Sequence, residues 1–195
     1  MNKAFFKFII LSLSFLILLS AACGRKKEPP PPPPPPIHDF TLKNLASEFP
    51  AEIRTGAFAG QVQLVLFFRT DDDACRASLP GWSGLHKEFA ARGFTLVGVL
   101  VDDRPADRLA AEVAPLALPF PVGLAADPVV QAFGGPPAIR AIPSAFLLSR
   151  DGALLRAYAG HEPLETLRDD VVHALDGQPL PVRPRIGIAP EDNAP

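Results

Sequence analysis

Val65-Leu66-Phe67-Phe68-Arg69-Thr70-Asp71-Asp72-Asp73-Ala74-Cys75-Arg76 carries the change from strand to helix on which the reading of the chain turns. Its first four residues close a continuous apolar run, Gln63 to Phe68, the pattern of a strand covered on both faces. A polar turn follows, rich in aspartate. Beyond it, Cys75 to Arg92 is built of helix formers, with Leu79, Trp82, Leu85 and Phe89 at three- and four-residue spacing and Gly93 as the stop. Pro80 falls inside this helix and is expected to kink it.

Working outward, Phe94 to Val101 is a second buried strand and Ala106 to Leu116 an amphipathic helix. Phe120 to Val122 adds a short edge strand, and Asp127 caps a helical stretch running to Phe133. Ser144 to Leu148, the turn Ser149-Arg150-Asp151-Gly152 and Leu154 to Tyr158 read as a hairpin. Pro163 to Leu175 closes as a helix, with Pro at its start and Gly177 past its end. Strands and helices in this order predict an α/β domain, a central mixed sheet with helices on both faces.

Composition bounds the function. The chain has 195 residues, 24 of them proline and two cysteine, and 48% are hydrophobic, enough for a packed core. Its formal charge of −2 gives no general drive toward nucleic acid. Two cysteines exclude a four-cysteine zinc site or an iron–sulfur cluster, but allow one disulfide or one redox pair.

The ends read as export and tethering. Met1 to Ala22 has Lys3 and Lys7 ahead of the apolar run Phe8 to Leu19, then Ser20, Ala21 and Ala22 before Cys23. This resembles a bacterial lipobox, with Ser20 where leucine is usual, and implies that Cys23 is lipidated and becomes the mature N-terminus. An ordinary cleaved signal and an uncleaved anchor are the alternatives, and all three export the domain to an oxidising compartment. Gly24 stands where aspartate is associated with inner-membrane retention, which favours the outer membrane of a periplasm-facing protein. Pro29 to Pro36 forms a polyproline spacer of roughly 25 Å at ~3.1 Å per residue. From Cys23 onward 17 basic residues face 21 acidic ones, a charge of −4. The expected layout is a lipoprotein signal over residues 1–22, lipidated Cys23 and linker over 23–36, a folded domain over 37–178 and an extended proline-rich tail over 179–195.

The folded part resembles the thioredoxin superfamily, specifically its membrane-tethered TlpA-like, redoxin branch. His38-Asp39-Phe40-Thr41-Leu42 is similar to that branch's first strand. Val65 to Arg76 aligns without gaps on its strand–turn–helix segment, and Ile142-Pro143-Ser144-Ala145-Phe146-Leu147-Leu148 resembles its cis-proline loop and hairpin. The resemblance implies thiol–disulfide oxidoreductase chemistry without a cofactor. It also implies a groove at Asp72, Ile142, Pro143 and Ser144 in which an extended segment of an exported protein pairs with the loop backbone. The plain alternative is that Pro143 only turns the chain.

The active-site motif departs from the family. Active members place a nucleophilic cysteine at the helix N-terminus and a resolving one three residues on. Here these positions hold Asp72 and Cys75. Asp72 can cap the helix but cannot form a disulfide. The charges of Asp71, Asp72 and Asp73 raise a neighbouring thiol pKa, with Arg69 and Arg76 offsetting part of this. With Cys23 given to lipid or removed, no intramolecular dithiol cycle is available.

Three functions follow from this. Cys75 acts as a monothiol on exported protein thiols; the domain is a redox-inactive module that binds extended segments; or Cys75 is the centre of a one-cysteine peroxidase. Against the last, peroxiredoxins usually carry Thr at the place of Asp72 and Arg at the place of Ser144. The aspartate cluster reads as a solvated, capping turn rather than a metal site. His38, His86, His161 and His173 show no ligand spacing and read as surface or capping residues.

Overall fold

A computed structural model describes residues 40–46 and 48–183. The two strands expected to be buried on both faces form the middle of the sheet. β3 (Val62–Phe68) and β4 (Phe94–Leu100) are buried at every position and pair in parallel from Val62↔Phe94 to Phe68↔Leu100. Such strands satisfy their backbone laterally and their side chains above and below, hence their continuous apolar sequence.

Around this pair the sheet runs β2-β1-β5-β4-β3-β6-β7. β5 (Val122–Leu124) is parallel to β4, and β1 (Thr41–Asn44) is antiparallel to both β5 and β2 (Glu52–Arg54). On the other side β6 (Ser144–Leu148) is antiparallel to β3 and to the outer strand β7 (Leu154–Ala159). The expected mixed sheet is observed.

Alternate side chains of β3 point to two separate cores, as a strand's period of two requires. Leu64, Leu66 and Phe68 join α1 (Asp73–Phe89), α2 (Ala106–Val113) and α4 (Leu164–Leu175). Val65 and Phe67 join Val129 of α3 (Asp127–Ala132), with Phe133, Phe146 and Ile139. Phe133 packs edge-on against Phe67 at 5.3 Å between centroids and tilts against Phe146 at 4.8 Å. Helices therefore cover both faces.

Several expectations are corrected. The strand expected at Phe120 to Val122 begins only at Val122, because Pro121 lacks an N–H; its carbonyl instead accepts the Gly98 N–H at 2.9 Å. That strand is not at an edge, since β1 and β2 fold against its outer side. β2 escaped the sequence pattern because its three residues carry one buried apolar side chain, Ile53. Asp127 is the first helical residue rather than the cap, which is Ala126. α1 is continuous across Pro80 but ends at Phe89, and a 3-10 turn, Ala90–Arg92, leads into Gly93 at φ +83°.

The chain stays docked past Gln178. Leu180 packs on the core, Arg156 Nη2 donates to the Pro181 carbonyl at 2.5 Å, and Arg183 Nη1 donates to Asp170 Oδ2 at 2.9 Å. The signal, Cys23, the polyproline run and residues 184–195 lie outside the described residues. No helix among the described residues is long and apolar enough to cross a membrane.

Candidate functional site

The end of β3 feeds directly into the first turn of α1. Asp72 is extended there (φ −89°, ψ 128°), and its Oδ1 accepts the Cys75 N–H at 2.8 Å. This is N-capping: a short side-chain acceptor serves an amide that the helix leaves unpaired. The bond to the Cys75 amide, helped by the thiol, holds the Asp72 carboxyl below the usual carboxylate range. Asp72 is therefore a fixed anion at the N-terminus of α1.

Cys75, one turn in, has no exposed surface. Burial above all pushes its thiol up to about 11; a hydrogen bond from the Arg69 amide pulls it down, and the carboxylates of Asp72 and Asp71 push it up again. A thiol so placed is protonated through neutral pH, and the thiolate is the form that attacks. Neither nearby arginine is free to offset this. Arg69 grips Asp71 with Nε and Nη2 at 2.8 and 2.9 Å, which brings the Asp71 carboxyl down to about 2. Arg76 bonds Asp73 and the Thr70 carbonyl.

A second charged layer ties this turn to the loop after β4, and the sequence reading did not find it. Asp102, its side chain fully buried, accepts from Arg104 Nε at 2.9 Å and Nη2 at 2.7 Å. Arg104 Nη1 and Thr70 Oγ1 each donate to Glu112 at 2.7 Å. The only signal in the sequence is Asp102 and Arg104 two residues apart, too common to single out.

The Pro143 loop stands at the same end of the sheet. Phe67 of β3 pairs with Ser144 of β6, so the loop begins beside the strand end that leads to Asp72. The Ile142–Pro143 bond is cis. Ile142 is half-buried against the core that contains Cys75. Ser144 was expected to line the groove, but it is fully buried and its Oγ donates to the Ala141 carbonyl. Both faces of the sheet are covered, so the Ser144 side chain is enclosed and supports the loop from beneath. Asp72, Cys75, Ile142 and Pro143 are thus brought to one end of the sheet, while Cys23 is outside the described residues.

Two further residues belong to this region. Ser78, one turn past Cys75, donates its Oγ proton to the Ala74 carbonyl at 2.7 Å and lies 3.1 Å from His161 Nδ1. With that proton committed, His161 Nδ1 is the donor of the second bond. The exposed His161 thereby holds the loop after β7 to α1. His86 departs from the surface reading. It is half-buried beside Phe94 and Phe120, and its Nδ1 accepts the Leu96 N–H at 3.3 Å. Burial lowers its pKa. Among the described residues, no group of three His, Cys, Asp or Glu side chains is arranged to hold a metal ion.

Comparison with known proteins places this geometry. The model of the AhpC/TSA family matches residues 35–157. No curated protein sequence matches the chain. Among solved structures, a thiol:disulfide interchange protein of the thioredoxin family from Chlorobium tepidum is 24% identical, with 74% of this chain and 97% of that one covered and a TM-score of 0.64. A secreted thiol-disulfide isomerase from Corynebacterium glutamicum is 22% identical, covering 71% and 84%, with a TM-score of 0.62. The pneumococcal exposed lipoprotein thioredoxin of Streptococcus pneumoniae is 16% identical, covering 72% and 99%, with a TM-score of 0.59. The fold is thioredoxin-like.

Proposed function

The chain belongs to the AhpC/TSA family, and from that premise we propose that it is an exported, membrane-tethered thioredoxin-like protein that binds extended segments of exported partners without thiol–disulfide turnover. The observation that carries this reading is the bond from the Cys75 amide to Asp72 Oδ1. It fixes a carboxylate at the nucleophile's position and leaves a buried, protonated thiol behind it. What the domain retains is the loop at Ile142 and Pro143, whose backbone pairing needs no cysteine. The lipid anchor at Cys23 and the stiff linker hold that loop away from the membrane, in the periplasm and on the outer membrane.

The intact thiol favours one second reading, a monothiol exchanger working through Cys75 on partner thiols. Peroxidase chemistry has less support despite the family, since Asp72 and the buried Ser144 replace the threonine and arginine that assist a peroxidatic thiolate. Activity assays on the full chain in detergent and cross-linking in the native envelope separate these. Reduction of insulin disulfides, deglutathionylation of a peptide and consumption of hydrogen peroxide are all expected at background. A photo-cross-linker at Ile142, expressed in the native envelope, is expected to trap an exported protein, and equally so in Cys75→Ser. Turnover that disappears in Cys75→Ser refutes the binding reading. Cross-linking to lipid alone refutes the groove, and a mature N-terminus without acyl mass refutes the anchor.

A further inference from the structure

The loop at Ile142 and Pro143 has backbone hydrogen-bonding capacity to spare. Ile142 is half-buried, and among the described residues neither its N–H nor its carbonyl has a backbone partner. Ser144, two residues on, is already paired between Phe67 and Ala159. A residue before proline favours extended backbone, and an unpaired donor and acceptor there can take up one more extended segment.

The chain brings a segment of its own toward this loop. Arg183 Nη1 donates to Asp170 Oδ2 at 2.9 Å, the oxygen to which the Tyr158 hydroxyl donates at 2.7 Å. Arg183 Nη2 donates to the Asp169 carboxylate at 2.9 Å and the Thr166 carbonyl at 3.4 Å, so Arg183 is pinned beside the first half of α4. Tyr158 pairs with Ala145. Ala145 is three residues from Ile142, so about 10 Å along the chain at ~3.3 Å per residue. Twelve residues, Pro184 to Pro195, follow Arg183 and reach up to ~40 Å when extended. Among them Arg185-Ile186-Gly187-Ile188-Ala189 is the longest run with an N–H on every residue, since Pro184 and Pro190 bound it. Ile186 and Ile188 share one face of an extended chain, and Arg185 sets a cation beside them. The loop's end of the sheet offers the matching pair, apolar Ile142 and the fixed Asp72 anion. Glu191 and Asp192 fall beyond Pro190, outside the run.

We propose that Arg185 to Ala189 docks on the Ile142–Pro143 loop of its own chain, pairs with the Ile142 backbone, and competes there with exported partners. Such docking rests on the binding role proposed for the loop and adds an internal competitor to it. Attachment at Arg183 holds the run at an effective concentration of about millimolar for the loop, so a weak contact is enough to fill it. A partner then binds only the open fraction, and its apparent affinity falls by that fraction.

The test compares the full-length chain in micelles with the double variant Ile186→Asp, Ile188→Asp, which alters none of the described contacts. Amide NMR spectra of the two should differ at Ala141, Ile142, Asp72 and Cys75 and coincide in the rest of the domain. With a photo-cross-linker at Ile142 in the purified protein, mass spectrometry should find it joined to the peptide holding residues 185–189. The yield should be the same at low and high protein concentration, and the double variant should lose the product. In the native envelope the double variant should trap about tenfold more exported protein, the gain expected where the wild-type run fills the loop about nine-tenths of the time. Coincident spectra at Ile142, or equal capture of exported protein by both chains, overturns the internal competitor and leaves partner binding standing. Capture of no exported protein by either chain overturns partner binding, and the competition with it. A product that grows with concentration and joins isotopically distinct chains assigns the run to a second copy and overturns the proposal.

Discussion

The amide of Cys75 donates to Asp72 Oδ1 across 2.8 Å, so the same helical turn carries a fixed anion and a fully buried thiol. In a redox-active site the helix N-terminus lends its free N–H groups to a thiolate. Here the carboxylate already occupies one of them, and its charge works against ionisation of the sulfur behind it.

The first consequence is kinetic. With its thiol pKa near 11, Cys75 in the folded chain should react with iodoacetamide negligibly at pH 7. The rate should climb about tenfold per pH unit toward pH 10, while unfolded chain reacts as an ordinary thiol of pKa ~8.5. Stopped labelling with mass readout checks this. A rate plateau already reached near pH 7 contradicts it.

Asp72→Ala isolates the cap. Removing the acceptor leaves the Cys75 N–H unpaired, and the melting temperature should fall by a few degrees at pH 7. The carboxyl's pKa is lowered by folding, so its stabilisation is complete above the unfolded value of 3.8 and is lost as pH falls through the lower folded one. Melting curves of wild type and variant should therefore converge in acid. A gap that persists to pH 2 would show that the cap does not act through charge.

The fold was legible wherever burial is two-sided. β3 and β4 announce themselves because their sequences have no polar face, and α1 because its apolar residues recur at helical spacing. β2 did not, since a three-residue edge strand with one buried side chain leaves no period. Asp72 and Cys75 were legible through their place in a strand–turn–helix motif. Ser144 was assigned to the groove by resemblance, but adjacency to a loop does not say which way a side chain turns. The Ser78–His161 and Thr70–Glu112 contacts join residues distant in sequence, and only packing reveals them.

His86 gives the chain a second pH response. Its Nδ1 accepts from Leu96, and burial depresses its pKa below 6.5, so the folded state favours the neutral ring. The stability this contributes is complete above pH 6.5 and declines as pH falls through the folded value. His86→Gln keeps an acceptor and cannot be protonated there. Between pH 8 and pH 5 the variant should lose less stability than wild type in urea unfolding; parallel losses would remove His86 as the cause.

Gly123 is required by close approach rather than by conformation. A Cβ on it would overlap Leu42 Cβ, where β5 meets β1. Both strands are short and Leu42 is fully buried, so neither can yield without opening the core. Gly123→Ala should cost about 1–3 kcal/mol in urea unfolding, the range of core overpacking. The neighbouring β3–β4 pairing should keep its hydrogen-exchange protection.

The clasp at Asp170 gives the last prediction. Its side chain is fully buried and places Oδ2 within reach of Arg156 Nη1 and Tyr158 Oη at 2.7 Å and Arg183 Nη1 at 2.9 Å; Oδ1 has no partner among the described residues. One carboxylate oxygen thus anchors β7, α4 and the chain after Gln178. Asp170→Asn removes the carboxylate charge shared by Arg156 and Arg183, which are 22% and 31% exposed; Arg183 keeps its second ion pair, to Asp169 at 2.9 Å, and Arg156 its bond to the Pro181 carbonyl. Breaking a buried ion pair costs about 3–5 kcal/mol, and the partial exposure of both arginines brings the expectation to about 2–3. Arg183→Ala removes one donor of three and should cost about 1 kcal/mol or less. It should also make the chain beyond Gln178 sensitive to protease while the domain stays folded. Tyr158→Phe should cost about 1 kcal/mol, the net value of a hydrogen bond. Urea unfolding should therefore rank Asp170→Asn well above the other two. If Arg183→Ala matches it, the docked segment rather than the buried carboxylate holds this corner together.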